Sequence, residues 1–376
     1  MKLNMTVRWK SPYINSCFIS LALFTTACHV DREASVRTDP EVREVRCDSS
    51  GYFIDNLCED EKEYLDWAAA FPEYPEFGDL DQQALRTVTK ETLDPDKAAA
   101  LFYQRGIQVP RNRAFYEYLN RKEKVLREQL PDYSDRNVLF AVVPGMFYKD
   151  NPTIGADGAQ IRRLAAQLGL KQDLVEVEQT GTVAENAQFI CDYVKSRTDV
   201  NAIILASVSK GSGDIKKALQ ICGEDPGFQK VIGWFNIGGI NKGTLLINEI
   251  ENHWNYKLEA RSYFCWNGYD WDGFLSMRAG PDAPLNFEID IPDHILLINV
   301  IAVPIYRFVT ERAKPYWLHL AQFGPNDGMS LLADLTIPEG ITWLSWRNDH
   351  YFRNAIPESK MQAFIVYILE QQNNRY

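Results

Sequence analysis

The stretch that decides the fold is NAIILASVSKGSGDIKKALQICG, residues 201–223, and its character changes at the centre. Five consecutive apolar residues, 202–206, predict a fully buried strand. A small, hydroxyl-rich run follows at residues 207–212, and the chain then takes on helical character. A buried strand that stops at serines and glycines and turns at once into a helix needs a chemical explanation.

A nucleophilic serine supplies one, because its hydroxyl must project clear of the sheet while backbone N–H groups stand ready for an oxyanion. The sharp turn that achieves this needs small residues two positions before and after the nucleophile. Ser207 and Gly211 stand at those offsets from Ser209. The usual pattern is G-x-S-x-G, whereas this chain has S-V-S-K-G. A helix cap or a phosphate-binding loop is the alternative, although Lys210-Gly211-Ser212 reverses the Gly-Lys-Ser/Thr order of a Walker loop.

A serine nucleophile needs a base and an acid, and the C-terminal part of the chain offers both. His350 lies in ITWLSWRNDHYF, residues 341–352, where a predicted strand runs out into a loop. Asp327 lies in the turn GPNDG, residues 324–328. Ser209, Asp327 and His350, each after a strand, follow the chain order of a large class of serine hydrolases. The remaining histidines fit structural roles better: His29, His253, His294 and His319.

The spacing of apolar residues along the chain predicts the architecture of the fold. From about residue 135 to the end, apolar strands alternate with helices, which predicts an α/β domain with a mostly parallel sheet and helices on both faces. Residues 58–130 have apolar residues at three- and four-residue spacing and predict a helical N-terminal region. Residues 241–292 interrupt the alternation and are rich in aromatics. This insertion either packs on the helical region or forms a cap that binds apolar substrate.

Residues 137–376 resemble the α/β-hydrolase superfamily, and in particular its lipase and esterase branch. The resemblance rests on the segments VVPGMF, SVSKGS, GPNDGMS and NDHYF. It implies an α/β-hydrolase fold in which Ser209 is the nucleophile, His350 the base and Asp327 the acid that orients the base.

The resemblance also implies an oxyanion hole made of two backbone N–H groups. One is expected from Lys210, the residue after the nucleophile, and the other from the loop after the strand FAVV. Pro144 has no N–H, so Met146 or Phe147 is the expected second donor. Gly145 would let the backbone approach the substrate closely.

Composition narrows the range of partners. The formal net charge of −11 argues against nucleic acid, which needs clustered Lys and Arg. The sequence has no CxxC and no Cys/His pairing at zinc spacing, so we expect neither a metal nor another cofactor. The expected partner is a small-molecule ester or a lipid.

The first 28 residues have the layout of an export signal, with a basic start and a short, mostly apolar stretch. Cys28 follows Thr-Thr-Ala, which resembles the lipobox of bacterial lipoproteins. We therefore expect export, either to the bacterial cell envelope with membrane attachment through a lipidated Cys28 or by ordinary cleavage into the periplasm or medium. Cys47 and Cys58 enclose a short polar loop and are expected to pair in an oxidising compartment. Of the other three cysteines beyond the signal, Cys191, Cys222 and Cys265, one could be unpaired.

The predicted organisation is an export segment at 1–28, a polar linker and helical region at 29–134, and an α/β-hydrolase domain at 135–376. The predicted function is that of an exported serine hydrolase that cleaves carboxylic esters through an acyl-enzyme, with lipid or acyl esters favoured. The alternative is a catalytically inactive binding protein of the same fold at the cell envelope, which the imperfect serine motif motivates.

Overall fold

The centre of the molecule is a six-stranded, wholly parallel sheet. The computed structural model describes residues 45–354 and 356–373, so the predicted signal and Cys28 lie outside the described residues. The sheet strands are β3 (Val138–Val143), β4 (Lys171–Leu174), β5 (Ala202–Val208), β6 (Val231–Ile237), β7 (Leu296–Val303) and β8 (Ile341–Trp346). Their order across the sheet is β4-β3-β5-β6-β7-β8. The predicted mostly parallel α/β architecture is confirmed.

Helices cover both faces of this sheet, because its strands are apolar on both sides and a parallel sheet must be covered on both. The helices in the second half of the chain are α5 (Ala159–Gln167), α6 (Val183–Ser196), α7 (Lys210–Cys222), α8 (Leu245–Asn252), α9 (Trp254–Asn267), α10 (Trp271–Leu275), α11 (Lys314–Leu320) and α12 (Glu358–Asn373). Helices α5 and α12 share the core cluster on one face of the sheet, and α6 and α7 share the cluster on the other. Helix α6 begins with a capping box in which the Thr182 hydroxyl accepts from Glu185 N and the Glu185 carboxylate from Thr182 N.

The N-terminal region is a β-hairpin followed by four helices. The hairpin strands are β1 (Cys47–Gly51) and β2 (Ile54–Cys58), and the helices are α1 (Glu59–Ala70), α2 (Gln82–Thr92), α3 (Pro95–Gln108) and α4 (Pro110–Glu128). Their apolar faces share one core cluster with β3, β5–β8 and α12. These helices are therefore part of the cover of the sheet.

Helix α4 also protects the edge of the sheet at β8. Tyr116 is 4% exposed, and its hydroxyl donates to Leu344 O at 2.8 Å and accepts from Leu344 N at 2.7 Å. The Asn112 Oδ1 atom accepts from Thr342 N at 2.8 Å. Two side chains thus satisfy backbone groups that an edge strand would otherwise leave unpaired.

The described residues contain two disulfides. Cys47 and Cys58 are joined across the hairpin, as predicted, and Cys191 and Cys222 join α6 to α7, a pairing that the sequence did not indicate. Cys265 is free and exposed. Among the described residues, no helix combines the length and the apolar character needed to span a bilayer.

Candidate active site

The predicted site residues meet at the carboxyl edge of the sheet. Met146 and Phe147 follow β3, Ser209 follows β5, Asp327 lies in the connection between β7 and β8, and His350 follows β8. Because all six strands are parallel, the loops after them open on the same edge. Residues that are 141 positions apart in the chain are thereby brought within hydrogen-bond distance.

Ser209 occupies a strained turn between β5 and α7. Its φ of 53° and ψ of −117° lie in a region that non-glycine residues rarely adopt, at a cost on the order of 1–3 kcal/mol. Three backbone hydrogen bonds hold it there: Ser209 N donates to Ile237 O at 3.0 Å, and Ser209 O accepts from Ser212 N at 3.0 Å and Ile240 N at 3.2 Å. The turn lifts the hydroxyl out of the strand, which explains the abrupt change in the sequence.

Positions 207 and 211, which flank Ser209 at two residues on either side, meet the steric requirement of the turn in different ways. A Cβ atom at Gly211 would clash with the Val143 carbonyl oxygen and lie 2.7 Å from Pro144 O, so only glycine fits. Ser207 is fully buried, and its hydroxyl accepts from Trp234 Nε1 at 2.8 Å and lies 2.8 Å from Ser212 Oγ. The serine that replaces the usual first glycine is therefore both accommodated and hydrogen bonded.

Asp327 is fully buried in a tight turn that orients its carboxylate. Its Oδ1 accepts from Met329 N and Ser330 N, both at 2.8 Å. Its Oδ2 lies 2.7 Å from His350 Nδ1, and its carbonyl oxygen accepts from His350 N at 2.8 Å. The backbone and side chain of His350 are thus both tied to the same residue.

His350 completes a hydrogen-bonded chain, since its Nε2 lies 3.0 Å from Ser209 Oγ. With Asp327 ionised, Nδ1 carries the proton and donates to Oδ2, which leaves Nε2 free to accept from the serine hydroxyl. Burial lowers the pKa of His350, but the charge and hydrogen bond of Asp327 and the charge of Asp349 outweigh burial, so the net pKa lies above its ordinary value. The imidazolium form is therefore stabilised.

The loop after β3 passes against the serine. A Cβ atom built on Gly145 would lie 3.3 Å from Ser209 Cβ and 3.2 Å from Val208 O, so this backbone comes very close to the turn. Among the described residues, the N–H groups of Met146, Phe147 and Lys210 donate to no protein acceptor. Lys210 is also the first residue of α7, where the helix dipole favours negative charge. These N–H groups are available for an anionic oxygen bound beside Ser209.

Comparison with solved structures supports this architecture. The crystal structure of the metagenomic carboxyl esterase MGS0156 aligns with a TM-score of 0.52 and 18% identity over 64% of this chain and 78% of that chain. The chain has the α/β-hydrolase fold. The mature lipase BlEst2 of Bacillus licheniformis is 16% identical over 65% of this chain and 94% of that one, with a TM-score of 0.45. Carboxylesterase CesB of Bacillus subtilis is 13% identical over 69% of this chain and 99% of that one, with a TM-score of 0.33. No protein-family model and no curated protein matches the chain.

A buried ion pair lies directly behind the elbow of this α/β-hydrolase fold. Lys210 is 2% exposed, and its Nζ lies 2.9 Å from both carboxylate oxygens of the fully buried Asp214. Asn186 Nδ2 donates to Asp214 Oδ2 at 2.9 Å. The side chain of Lys210 therefore points into the protein and only its backbone N–H faces the site.

The insertion at 241–292 packs on the loops at the carboxyl edge. The ring of Phe147 contacts Phe264 and Tyr269, with centroids 5.9 and 5.1 Å apart, and Tyr269 donates to Asp150 at 2.7 Å. At its two ends, the insertion accepts hydrogen bonds from the buried Lys216 through Asn241 O and Leu285 O, both at 2.9 Å. It thus contacts the very loop that carries the predicted oxyanion donors.

One group of side chains has metal-ligand spacing among the described residues, and its atoms have other partners. It consists of Cys58, Asp60 and Glu61. The Cys58 sulfur is in a disulfide. The buried Glu61 carboxylate accepts from Trp346 Nε1 at 2.7 Å and from Arg347 Nε at 2.6 Å. This cluster supports the loop after β8 and needs no ion to explain it.

The sequence reasoning missed several residues that shape the site. Asp349 precedes His350 directly and is buried, but the Asp-His dipeptide by itself does not show whether its carboxylate faces the base. The bond between Ser207 and Trp234 and the ion pair of Lys210 with Asp214 were also not foreseen. Only the i, i+4 spacing of the ion pair was visible as a signal in the sequence.

Proposed function

We propose that this protein is a serine hydrolase that cleaves carboxylic esters. The observation that carries the proposal is the continuous hydrogen-bonded chain from Ser209 Oγ through His350 to Asp327, with distances of 3.0 and 2.7 Å. Neither the buried carboxylate nor the strained serine is needed to form the sheet. Their combination at the carboxyl edge is the arrangement that acyl transfer to a serine requires.

In the proposed reaction, His350 Nε2 takes the proton of Ser209 as Oγ attacks the ester carbonyl carbon. The C–O bond of the leaving alcohol then breaks, and the imidazolium returns its proton to the alcohol oxygen. Water, deprotonated by the same nitrogen, then attacks the acyl carbon. The bond from that carbon to Ser209 Oγ breaks, the imidazolium returns its proton to Oγ, and the carboxylic acid is released. Asp327 keeps the proton on Nδ1 throughout and stabilises the imidazolium that forms at each step.

The tetrahedral oxyanion of each step is assigned to backbone donors. Lys210 N–H lies at the N-terminus of α7, and Met146 or Phe147 N–H comes from the loop after β3. Removal of one such donor typically costs about 10²–10³-fold in kcat. Backbone donors cannot be deleted by mutation, so the proposed role of the loop is best tested through the contacts that hold it.

For the substrate we propose lipid or other acyl esters. The insertion presents a cluster of aromatic rings, Phe264, Tyr269, Trp271 and Phe274, whose rings contact one another and Phe147 beside the site. Such rings favour an apolar acyl chain over a small polar group. The solved neighbour named a carboxyl esterase is consistent with a carboxylic ester as substrate.

We also propose that the protein is exported, with Cys28 as the attachment point of a lipid. Two disulfides among the described residues support export, because disulfides persist mainly in oxidising compartments. The inactive binding protein remains the contrasting hypothesis. Its main motivation, the serine at position 207, is accounted for by the hydrogen bonds of that side chain.

The deciding experiment measures ester hydrolysis and fluorophosphonate labelling in four single variants and one double variant. Ser209→Ala and His350→Ala should each lower kcat by several orders of magnitude, with the double variant little worse than either, because the residues act as a unit. Asp327→Asn should cost about 10⁴-fold or less. Ser262→Ala, an exposed helical serine, is the matched control and should be unchanged.

Circular dichroism must show that each variant is folded. If folded Ser209→Ala hydrolyses esters at the wild-type rate, the proposal fails. If the wild type neither hydrolyses esters nor takes up the probe, the binding protein is the better explanation.

A further inference from the structure

The loop after β8 contains a second buried carboxylate beside the proposed base. Asp349 is the residue before His350 and is 1% exposed. Asp327 already supplies the hydrogen bond to the imidazole, so the proposed mechanism leaves Asp349 without a role. A buried carboxylate is costly unless it is well bonded, which makes its presence here informative.

Neutral donors hold this carboxylate in place. Its Oδ2 accepts from Thr310 N at 2.8 Å and from Thr310 Oγ1 at 2.6 Å, and its Oδ1 accepts from Tyr351 N at 2.9 Å. Among the described residues it has no ion-pair partner within 4 Å. The hydrogen bonds attach the loop that presents His350 to the segment after β7, and the negative charge stays uncompensated by a direct cation.

The surroundings of His350 contain few other charges. Asp327 faces Nδ1 from the turn before β8, and Asp349 acts from the histidine's own loop. The Tyr351 ring lies edge-on to the imidazole with centroids 6.0 Å apart, and the Arg312 guanidinium lies over that tyrosine ring at 5.0 Å. Burial lowers the pKa of His350, and the charge and hydrogen bond of Asp327 together with the charge of Asp349 raise it by more.

We propose that Asp349 is a positioning residue for the base: anchored by Thr310, it holds the loop that presents His350 and carries a second negative charge on the residue next to the histidine. This inference rests on the proposed serine hydrolase function. The second negative charge has two opposing effects on catalysis by His350. The second carboxylate strengthens the imidazole as a base, and it also keeps more of the imidazole protonated, and hence inactive as a base, at acid pH.

The test is the pH dependence of kcat/KM from pH 5 to 9 for Asp349→Asn and Thr310→Val. Asparagine keeps the shape and removes the charge, so more of the base is neutral at low pH. The ratio of the Asp349→Asn rate to the wild-type rate should therefore rise by about threefold or more as the pH falls from 8 to 5.5. Thr310→Val removes one anchoring bond and keeps the charge. It should lower kcat by a factor that does not change with pH, with KM unchanged.

A purely structural role for Asp349 would lower the rate by the same factor at every pH, so a flat ratio for Asp349→Asn overturns the inference. A ratio that rises equally for Thr310→Val overturns the assignment to charge. If Asp349→Asn does not fold, Thr310→Val still tests the anchoring role. A wild-type kcat in Thr310→Val would show that the hydrogen bond from Thr310 Oγ1 to Asp349 does not position the base. Fluorophosphonate labelling separates a failure of this inference from a failure of the proposed function. If the wild type is labelled and Ser209→Ala is not, the serine hydrolase proposal stands whatever the role of Asp349. If the wild type is not labelled, the serine hydrolase proposal itself fails.

Discussion

Replacing Ser207 by glycine would restore the usual first residue of the G-x-S-x-G pattern, and we expect this change to reduce stability while leaving catalysis intact. Ser207 has no contact with substrate in the proposed mechanism. Its fully buried hydroxyl accepts from Trp234 Nε1 at 2.8 Å and donates to Phe235 O at 3.2 Å. The turn at Ser209 is held by backbone bonds that glycine at 207 does not touch.

The expected loss follows from the groups left unpaired. Trp234 is fully buried, so its indole N–H would lose its acceptor without access to water, at a cost of about 1–3 kcal/mol. Glycine within a strand costs roughly another 0.5–1 kcal/mol through backbone entropy. The free energy of unfolding should therefore fall by about 1.5–4 kcal/mol. Ser207→Ala, which loses the hydroxyl but not the entropy, should fall by about 1–3 kcal/mol.

The assay is guanidinium denaturation followed by tryptophan fluorescence and circular dichroism, with ester hydrolysis measured on the same samples below the transition. A double-mutant cycle with Trp234→Phe isolates the hydrogen bond. Ser207→Ala should cost about 1 kcal/mol less in the Trp234→Phe background, where no N–H is orphaned. The kcat of both Ser207 variants should stay within about threefold of the wild type.

Two results would refute this reasoning. If Ser207→Gly is as stable as the wild type, the hydrogen bond between Ser207 and Trp234 contributes nothing to the free energy of unfolding. The structure would then not explain why serine stands at position 207. If a folded Ser207→Gly loses kcat by orders of magnitude, position 207 belongs to the reacting site and the turn alone does not explain it.

Three further predictions concern the edge, the insertion and the N-terminus. Tyr116→Phe should lower the free energy of unfolding by about 2–4 kcal/mol in denaturant, because both backbone groups of Leu344 lose a buried partner; a loss under 0.5 kcal/mol would mean that water replaces the hydroxyl. Trp271→Ala should raise KM for long-chain esters more than for acetate, whereas Trp266→Ala, at a side chain 86% exposed, should change neither; equal effects of Trp271→Ala on both chain lengths would show a structural role. Cys28→Ser should abolish incorporation of labelled fatty acid and release the protein from the membrane fraction, and a wild type that takes up no label would contradict lipidation.

The amino-acid sequence by itself determined the class of fold and the chain order of the candidate site. Period and composition suffice for this, because a strand buried on both faces must be apolar throughout and a helix on its surface must be amphipathic. The turn residues around Ser209 and Asp327 were also visible, because clusters of Gly, Ser, Pro, Asn and Asp predict turns.

Other features could be predicted only as alternatives. The aromatic content of 241–292 predicts that the insertion packs against something apolar. It does not specify whether the contact surface is the N-terminal helices or the loops of the sheet. The structure places it against Phe147 and Asp150. The apolar residues of 59–128 recur at helical spacing, which predicts the helices. That spacing does not indicate that the Tyr116 hydroxyl hydrogen bonds to the edge strand β8.

Tertiary structure alone decided which polar groups face each other. Asp349 and Thr310 are 39 positions apart, and Ser207 and Trp234 are 27 apart. These pairs depend on which strands neighbour each other and in what register. Hydrophobic patterning predicts which strands are buried, and it leaves open which residues face each other. A buried polar group is stabilised only by a partner at hydrogen-bond distance, and that distance is set by the packing of the whole sheet.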